Sequence, residues 1–147
     1  MASLVTLTYS QPTRDLTAGE TLIAEGARGG DLYVLESGKL VVERGGAVIA
    51  RLTEPGSLVG EMSVFTGSPS SATVRADGPA IVRVVADAMR YITKQPEIAV
   101  HIAGVLAQRL DATSAVLAAL RSEGGTTAAE QSRLGRLVTA VFGGKAG

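Results

Sequence analysis

The sequence predicts a mainly β fold of the β-sandwich, jelly-roll or barrel type, followed by C-terminal helices. Three observations predict it. Between Glu20 and Ala86 short β-type runs alternate with turn residues. Gly38, Gly46, Gly56, Gly67 and Gly78 recur at intervals of eight, ten, eleven and eleven residues, the rhythm of short strands joined by tight turns. Beyond Asp87 the apolar period changes from that of a strand to that of a helix.

The expected strands are TLIA (21–24), DLYVLES (31–37), KLVVER (39–44), AVIARL (47–52), SATVRA (71–76) and AIVRVVA (80–86). Gly45-Gly46 separates two of these runs, and a two-residue loop that needs positive φ at both positions is where Gly-Gly belongs, so a tight hairpin is expected there. Asp87 is placed as the N-cap of a short helix through Ala88, Tyr91 and Ile92. Pro96 fits the first turn of a longer helix running to about Arg121.

On that helix Leu106, Leu110, Thr113, Leu117 and Leu120 follow a 4-3-4-3 spacing, and Ile98, Ile102, Val105, Ala112 and Val116 widen the stripe. One face can cover the β-core while another meets a second copy of the chain, giving a homodimer through the helix 97–121. Complete internal packing is the alternative. The segment EGGTTAAE (123–130) reads as a linker, and residues 129–142 as a short amphipathic helix carrying Leu134, Leu137, Val138 and Val141. No internal repeat is present in the sequence.

Composition excludes several classes of function. The chain has 147 residues, 14 Lys+Arg against 14 Asp+Glu, 46% apolar and 19% charged residues, one His and no Cys. That length suits one domain burying roughly 68–70% of its unfolded surface. A formal charge of zero argues against broad electrostatic binding to nucleic acid or anionic lipid. Without cysteine there is no disulfide scaffold, thiol nucleophile or Cys-type zinc site, and the lone His101 cannot build a histidine metal cluster. No paired carboxylates share a helix face, and neither a Gly-Lys-Ser/Thr run nor a nucleophile elbow occurs. An enzyme is therefore not expected, and neither is a cofactor. The N-terminus lacks the basic, apolar and small-residue order of a signal peptide, and the longest apolar stretch, Ile98 to Ala107, is too short to cross a bilayer about 30 Å thick. A soluble, cytoplasmic protein without a membrane partner is expected.

The stretch with chemical content is Pro55 to Ala76, PGSLVGEMSVFTGSPSSATVRA. Gly60 permits a tight turn after a strand, Glu61 opens a helical turn through about Phe65, and Gly67 stops it. Pro69 stiffens the loop and Ser71 begins the next strand. Backbone N–H groups of the helical turn and of the Ser-rich loop would face one concavity, an arrangement that favours an anion such as phosphate.

These residues carry a resemblance. The chain resembles the cyclic nucleotide-binding domain of bacterial catabolite-activator proteins, cyclic-nucleotide-gated channels and protein kinase A regulatory subunits, over about Leu16 to Leu120. The matching pieces are Ala18-Gly19-Glu20, Glu25-Gly26, Asp31-Leu32-Tyr33-Val34, Ser37-Gly38 and Pro55-Gly56. They continue in Gly60-Glu61-Met62, Ser71-Ala72-Thr73-Val74 and Gln108-Arg109-Leu110. Each piece is weak alone; their order and spacing together are specific. The resemblance implies a β-roll or jelly-roll of two short antiparallel sheets with a phosphate-binding cassette and a helical lid. It divides the chain into an N-terminal segment (1–15), the domain (16–121, with β-roll 16–86 and helices 87–121) and a linker with a short helix (122–147).

The resemblance also implies roles. Glu61 would accept a hydrogen bond from the ribose 2′-hydroxyl, and backbone amides around Gly60, Met62, Ser71 and Ala72 would meet the cyclic phosphate. Ser63, Ser70 and Thr73 complete the set of candidate ligand-binding residues, with strand support as the alternative role of Thr73. The ligand would be cyclic AMP or cyclic GMP, and the signal would pass through the C-terminal helix to an effector protein that the sequence does not name.

One position departs from the family. Its cassette places an arginine two residues before the Ala of the Ala-Thr-Val run, where this chain has Ser70. A charge-assisted contact of that kind is worth roughly 1.5–3 kcal/mol, and truncating a buried charge pair costs about 2–5. Affinity should then fall roughly 10- to 1000-fold relative to an arginine-bearing relative. Arg75 on the next strand and Arg28 in a Gly-rich loop are the neighbouring cations whose reach only a structure can give.

Plainer readings stand beside these. Glu61 can be a helix-N-terminal carboxylate favoured by the macrodipole, and Ser70 and Ser71 can be loop-capping serines. His101 reads as a packed helix residue, Tyr33 as strand packing, and Asp31 as a cap on the Gly29-Gly30 turn. Direct DNA binding is not expected, because 26 residues of net charge +1 follow Arg121, too few for a helix-turn-helix with its own core. The expectation is thus a stand-alone, non-enzymatic sensor of a cyclic nucleotide or related phosphate. Its competitor is a degenerate fold without a nucleotide ligand that serves as a dimerisation or protein-interaction scaffold.

Overall fold

In a computed structural model, which describes residues 3–122, alternating apolar residues build two four-stranded antiparallel sheets whose inner faces meet. The strands are β1 (Thr13–Leu16), β2 (Thr21–Ile23), β3 (Leu32–Ser37), β4 (Leu40–Arg44), β5 (Ala47–Leu52), β6 (Leu58–Val59), β7 (Thr73–Ala76) and β8 (Ala80–Val85). One sheet has the order β1-β8-β3-β6 and the other β2-β7-β4-β5. Apart from the β4–β5 hairpin, neighbouring strands are far apart in sequence, as the crossovers of a β-roll require. The mainly β fold with C-terminal helices is as the sequence predicts.

Leu16, Leu35, Val59, Ala80 and Val82 from the first sheet meet Leu22, Leu40, Val74 and Ala76 from the second in one buried cluster. In β7 the burial alternates, with Val74 and Ala76 inward. The β4–β5 hairpin turns through Gly45 and Gly46 at φ +57° and +80°, the two positive values that a twisted two-residue turn demands. Arg44 there faces Ala47.

Residues before Leu16 do more than precede the domain. Leu4 on α1 (Leu4–Leu7) is fully buried, and β1 pairs with β8 from Thr13↔Arg83 to Leu16↔Ala80. Arg83 fastens this strap, donating from one guanidinium nitrogen to the carbonyls of Tyr9 at 2.8 Å and Gln11 at 2.9 Å. The same guanidinium pairs with Glu36 at 2.9 Å and lies 5.1 Å from the Tyr9 ring centre. The sequence hid β1 because three of its four residues face solvent, and β6 because it is two residues long.

Helices α2 (Glu61–Thr66) and α3 (Ala88–Thr93) stand where expected, and α4 (Pro96–Ser122) opens on Pro96. Asp87 occupies the N-cap of α3 at φ +46° without a side-chain capping bond. Its N–H instead donates to the Asp31 carboxylate at 3.2 Å, so Asp31 holds the start of α3 rather than the Gly29-Gly30 turn. Two compact units divide the chain, Met1–His101 and Ile102–Gly147. In the second, Leu110, Val116 and Leu120 of α4 are exposed. The expected linker and terminal helix over 123–142 lie outside the described residues.

The segment Pro96–Leu120 of α4 is long and apolar enough to cross a membrane, with a mean hydropathy of 1.2; the ten-residue limit drawn from the sequence overlooked its full length. Arg109 and Asp111 sit near its middle, where each would cost about 2.5–3.5 kcal/mol in a bilayer.

Candidate functional site

The first compact unit contains a cavity of about 200 Å³ between β2 with its following turn, the start of β3, and the loop that carries α2. Leu22, Ile23, Ala24, Ala27, Arg28 and Gly29 line it from the first, Asp31 and Tyr33 from the second, and Gly60, Ser63 and Ser70 from the third.

Gly60 sets the position of α2. It holds the helix N-cap at φ +89°, and a Cβ there would stand 2.7 Å from the Asp31 carbonyl oxygen. Only glycine satisfies both the left-handed backbone and the close approach to β3. Gly67 ends the helix at φ +70° and returns its N–H to the Ser63 carbonyl at 2.9 Å. The first-turn amides of so short a helix have no intrahelical acceptor.

Ser70 is tied by three bonds. Its N–H donates to the Ala27 carbonyl at 2.8 Å, its carbonyl accepts from Gly26 N–H at 2.7 Å, and its hydroxyl donates to the Ala72 carbonyl at 2.7 Å. Thr73 accepts the Glu25 N–H on its hydroxyl at 3.0 Å, a strand-supporting contact, while the Glu25 carboxylate receives Gly45 N–H at 3.3 Å.

Of the sequence-predicted residues, the structure therefore brings Gly60, Ser63 and Ser70 to the cavity. Glu61 is buried, at 6% exposure, without being among the lining residues, and Ala72 is buried in the same way. Met62 is 58% exposed and Ser71 also faces solvent.

The two neighbouring cations differ. Arg75 is engaged by Glu43 at 2.6 and 3.0 Å, a hydrogen bond that holds its guanidinium above the ordinary value. Arg28 lines the cavity instead. Tyr33 both packs on the core cluster and lines the cavity. Burial pushes its phenol above the ordinary value, with the Asp31 charge adding to the shift and Arg14 opposing it, so the hydroxyl stays protonated at neutral pH. Sequence reasoning missed the wall from Leu22 to Ala27; only the Gly26–Gly30 loop hinted at it. Among the described residues no group of acidic or histidine side chains could hold a metal ion.

The family profile described as cyclic nucleotide-binding domain matches residues 13–90, more than half of the chain. The chain belongs to the cyclic nucleotide-binding domain family.

Within it, the chain is 35% identical over 126 residues to a CRP-like cAMP-activated global transcriptional regulator of Mycobacterium tuberculosis, covering 81% of this chain and 56% of that protein. The crystal structure of Thermus thermophilus catabolite activator protein is similar at 30% identity and a TM-score of 0.68, over 80% of this chain and 58% of that one. Glutaminase 2 of Bradyrhizobium diazoefficiens is 39% identical over 110 residues, which are 70% of this chain and 17% of that enzyme. The chain spans little more than half the length of the mycobacterial regulator.

Proposed function

We propose that the first compact unit is a regulatory, non-enzymatic module that binds a cyclic nucleotide, cyclic AMP or cyclic GMP, or a related phosphate ligand. The observation that carries this reading is the convergence of Gly60, Ser63 and Ser70 with the turn after β2 and Tyr33 on one cavity. At about 200 Å³ it is smaller than the roughly 300–1,000 Å³ of ordinary ligand pockets. It suits the sugar–phosphate end of a nucleotide, with the base projecting beyond. Glu61 is the candidate acceptor for the ribose hydroxyl, and the amides of Met62, Ser71 and Ala72 are candidate phosphate donors. The name of the mycobacterial relative makes cyclic AMP the first ligand to test.

In this reading the protein is cytoplasmic, and ligand binding is passed to an effector protein through α4. The mycobacterial relative is a transcriptional regulator, and the match covers 56% of that protein. The expectation that this chain does not itself bind DNA rests on residues outside the described ones.

A second reading, a scaffold without a nucleotide ligand, is favoured by Ser70, whose hydroxyl is already given to the Ala72 carbonyl. The exposed Leu110, Val116 and Leu120 would then serve a homodimer. Calorimetric titration of the wild type and Ser70→Arg with cyclic AMP and cyclic GMP separates the two. Micromolar binding by the wild type supports the sensor. Silence in the wild type with binding by Ser70→Arg shows an intact pocket that has lost its anion clamp, and silence in both leaves the scaffold.

A further inference from the structure

We infer that Arg28 takes the place of the absent cassette arginine and supplies the cationic contact to the ligand's phosphate from the turn after β2. The inference rests on the sensor reading above and adds to it the residue that makes the site work. Three observations carry it.

First, Arg28 is the only basic residue among those lining the cavity. Second, its neighbour is joined to the position the cassette arginine would hold. Ser70 N–H bonds the Ala27 carbonyl and Ser70 carbonyl bonds the Gly26 N–H, a two-way bridge that sets residue 28 one step along the chain from the partner of residue 70. A cation lost from one strand of the bridge is thus restored on the other. Third, Arg28 has no ion-pair partner among the described residues, whereas Arg14, Arg51, Arg75 and Arg83 are each committed to a carboxylate.

The surroundings allow the contact. Ala27 and Gly29 flank Arg28 in sequence, Arg28 is itself exposed, and a Cβ at Gly29 would meet nothing within 4 Å. The carboxylate of Asp31 lines the same cavity, accepts the Asp87 N–H, and forms no ion pair with Arg28. The guanidinium is therefore available to a phosphate, for which its planar fork provides two parallel donors.

The test is titration of the wild type, Arg28→Ala, Arg28→Lys and Arg28→Ala/Ser70→Arg with cyclic AMP and cyclic GMP, and with adenosine and guanosine as uncharged controls. Arg28 is exposed and unpaired, so the denaturation midpoint should not move with either substitution. Expected is a loss of about 10-fold or more in cyclic nucleotide affinity for Arg28→Ala. Arg28→Lys should lose less, nucleoside binding should be unaltered, and the double variant should recover affinity. Undiminished cyclic nucleotide binding by Arg28→Ala, or an equal loss for nucleotide and nucleoside, overturns the inference and leaves the sensor reading standing. Absence of cyclic nucleotide binding by the wild type overturns both.

Discussion

Ser70 and Ala27, which both line the cavity, are joined backbone to backbone, N–H to carbonyl at 2.8 Å, with Gly26 N–H returning to the Ser70 carbonyl at 2.7 Å. The loop after α2 is thereby stitched to the turn after β2, and the wall carrying the cassette cannot shift without the wall carrying Arg28. The bridge uses only main-chain atoms, which has direct consequences for substitution at Ser70.

Ser70→Arg and Ser70→Ala keep both main-chain bonds and lose only the hydroxyl bond to the Ala72 carbonyl, a cost of about 1 kcal/mol. Ser70→Pro also removes the N–H given to Ala27 and should cost about 1–3 kcal/mol more. Urea denaturation of the three variants checks the order.

Gly38 holds φ +86°, and a Cβ there would overlap the Pro79 carbonyl oxygen and stand 2.6 Å from Ala80 Cα. Gly19 has φ +81° with nothing within 4 Å. Gly19→Ala should therefore cost only the left-handed strain, about 1–2 kcal/mol, and Gly38→Ala about 2–5, since backbone must also move. A smaller loss for Gly38→Ala in chemical denaturation would contradict the packing described for the β3–β8 edge.

Arg83→Met removes the donor for two carbonyls and strands Glu36, whose side chain retains 31% exposure. The expected loss is about 2–3 kcal/mol, discounted from a fully buried pair. Hydrogen exchange should show β1 opening first, because Arg83 fastens the segment from Tyr9 to Gln11. Uniform loss of protection across both sheets would speak against that local role.

Glu20 titrates below its ordinary value of 4.5, chiefly through the Arg14 hydrogen bond, then the Thr17 N–H. A carboxylate with a depressed folded pKa adds stability that is present above 4.5 and lost as pH falls through the folded value. The stability difference between wild type and Glu20→Gln should thus be larger at neutral pH than at about pH 3. Paired denaturation curves at the two pH values measure it, and an unchanged difference would argue that the pair does not form in solution.

Much of the site was legible because its signals are local. The Gly45-Gly46 turn, the Gly60 and Gly67 ends of α2 and the Pro96 start of α4 each follow from what one or two adjacent residues permit in φ and ψ. β2, β3, β4, β5, β7 and β8 announce themselves as short β-type runs bounded by turn residues, and the order of short motifs from Ala18 to Leu110 carried the family.

The strap from Leu4 to Leu16 was not, since three of the four β1 residues face water and its anchor, Arg83, lies on the far side of the chain. Nor was the fate of the two candidate cations. The sequence places Arg75 nearer to the cassette than Arg28, yet the β4–β7 register sets Arg75 opposite Val41 and within reach of Glu43. The Gly26–Ser70 bridge brings the turn of Arg28 to the cavity instead. By itself the sequence determined the strand rhythm, the turns, the family and the loss of a charge at position 70. Which cation faces the cavity was decided by the tertiary structure, because strand register and crossover fix distances between residues that no local rule relates.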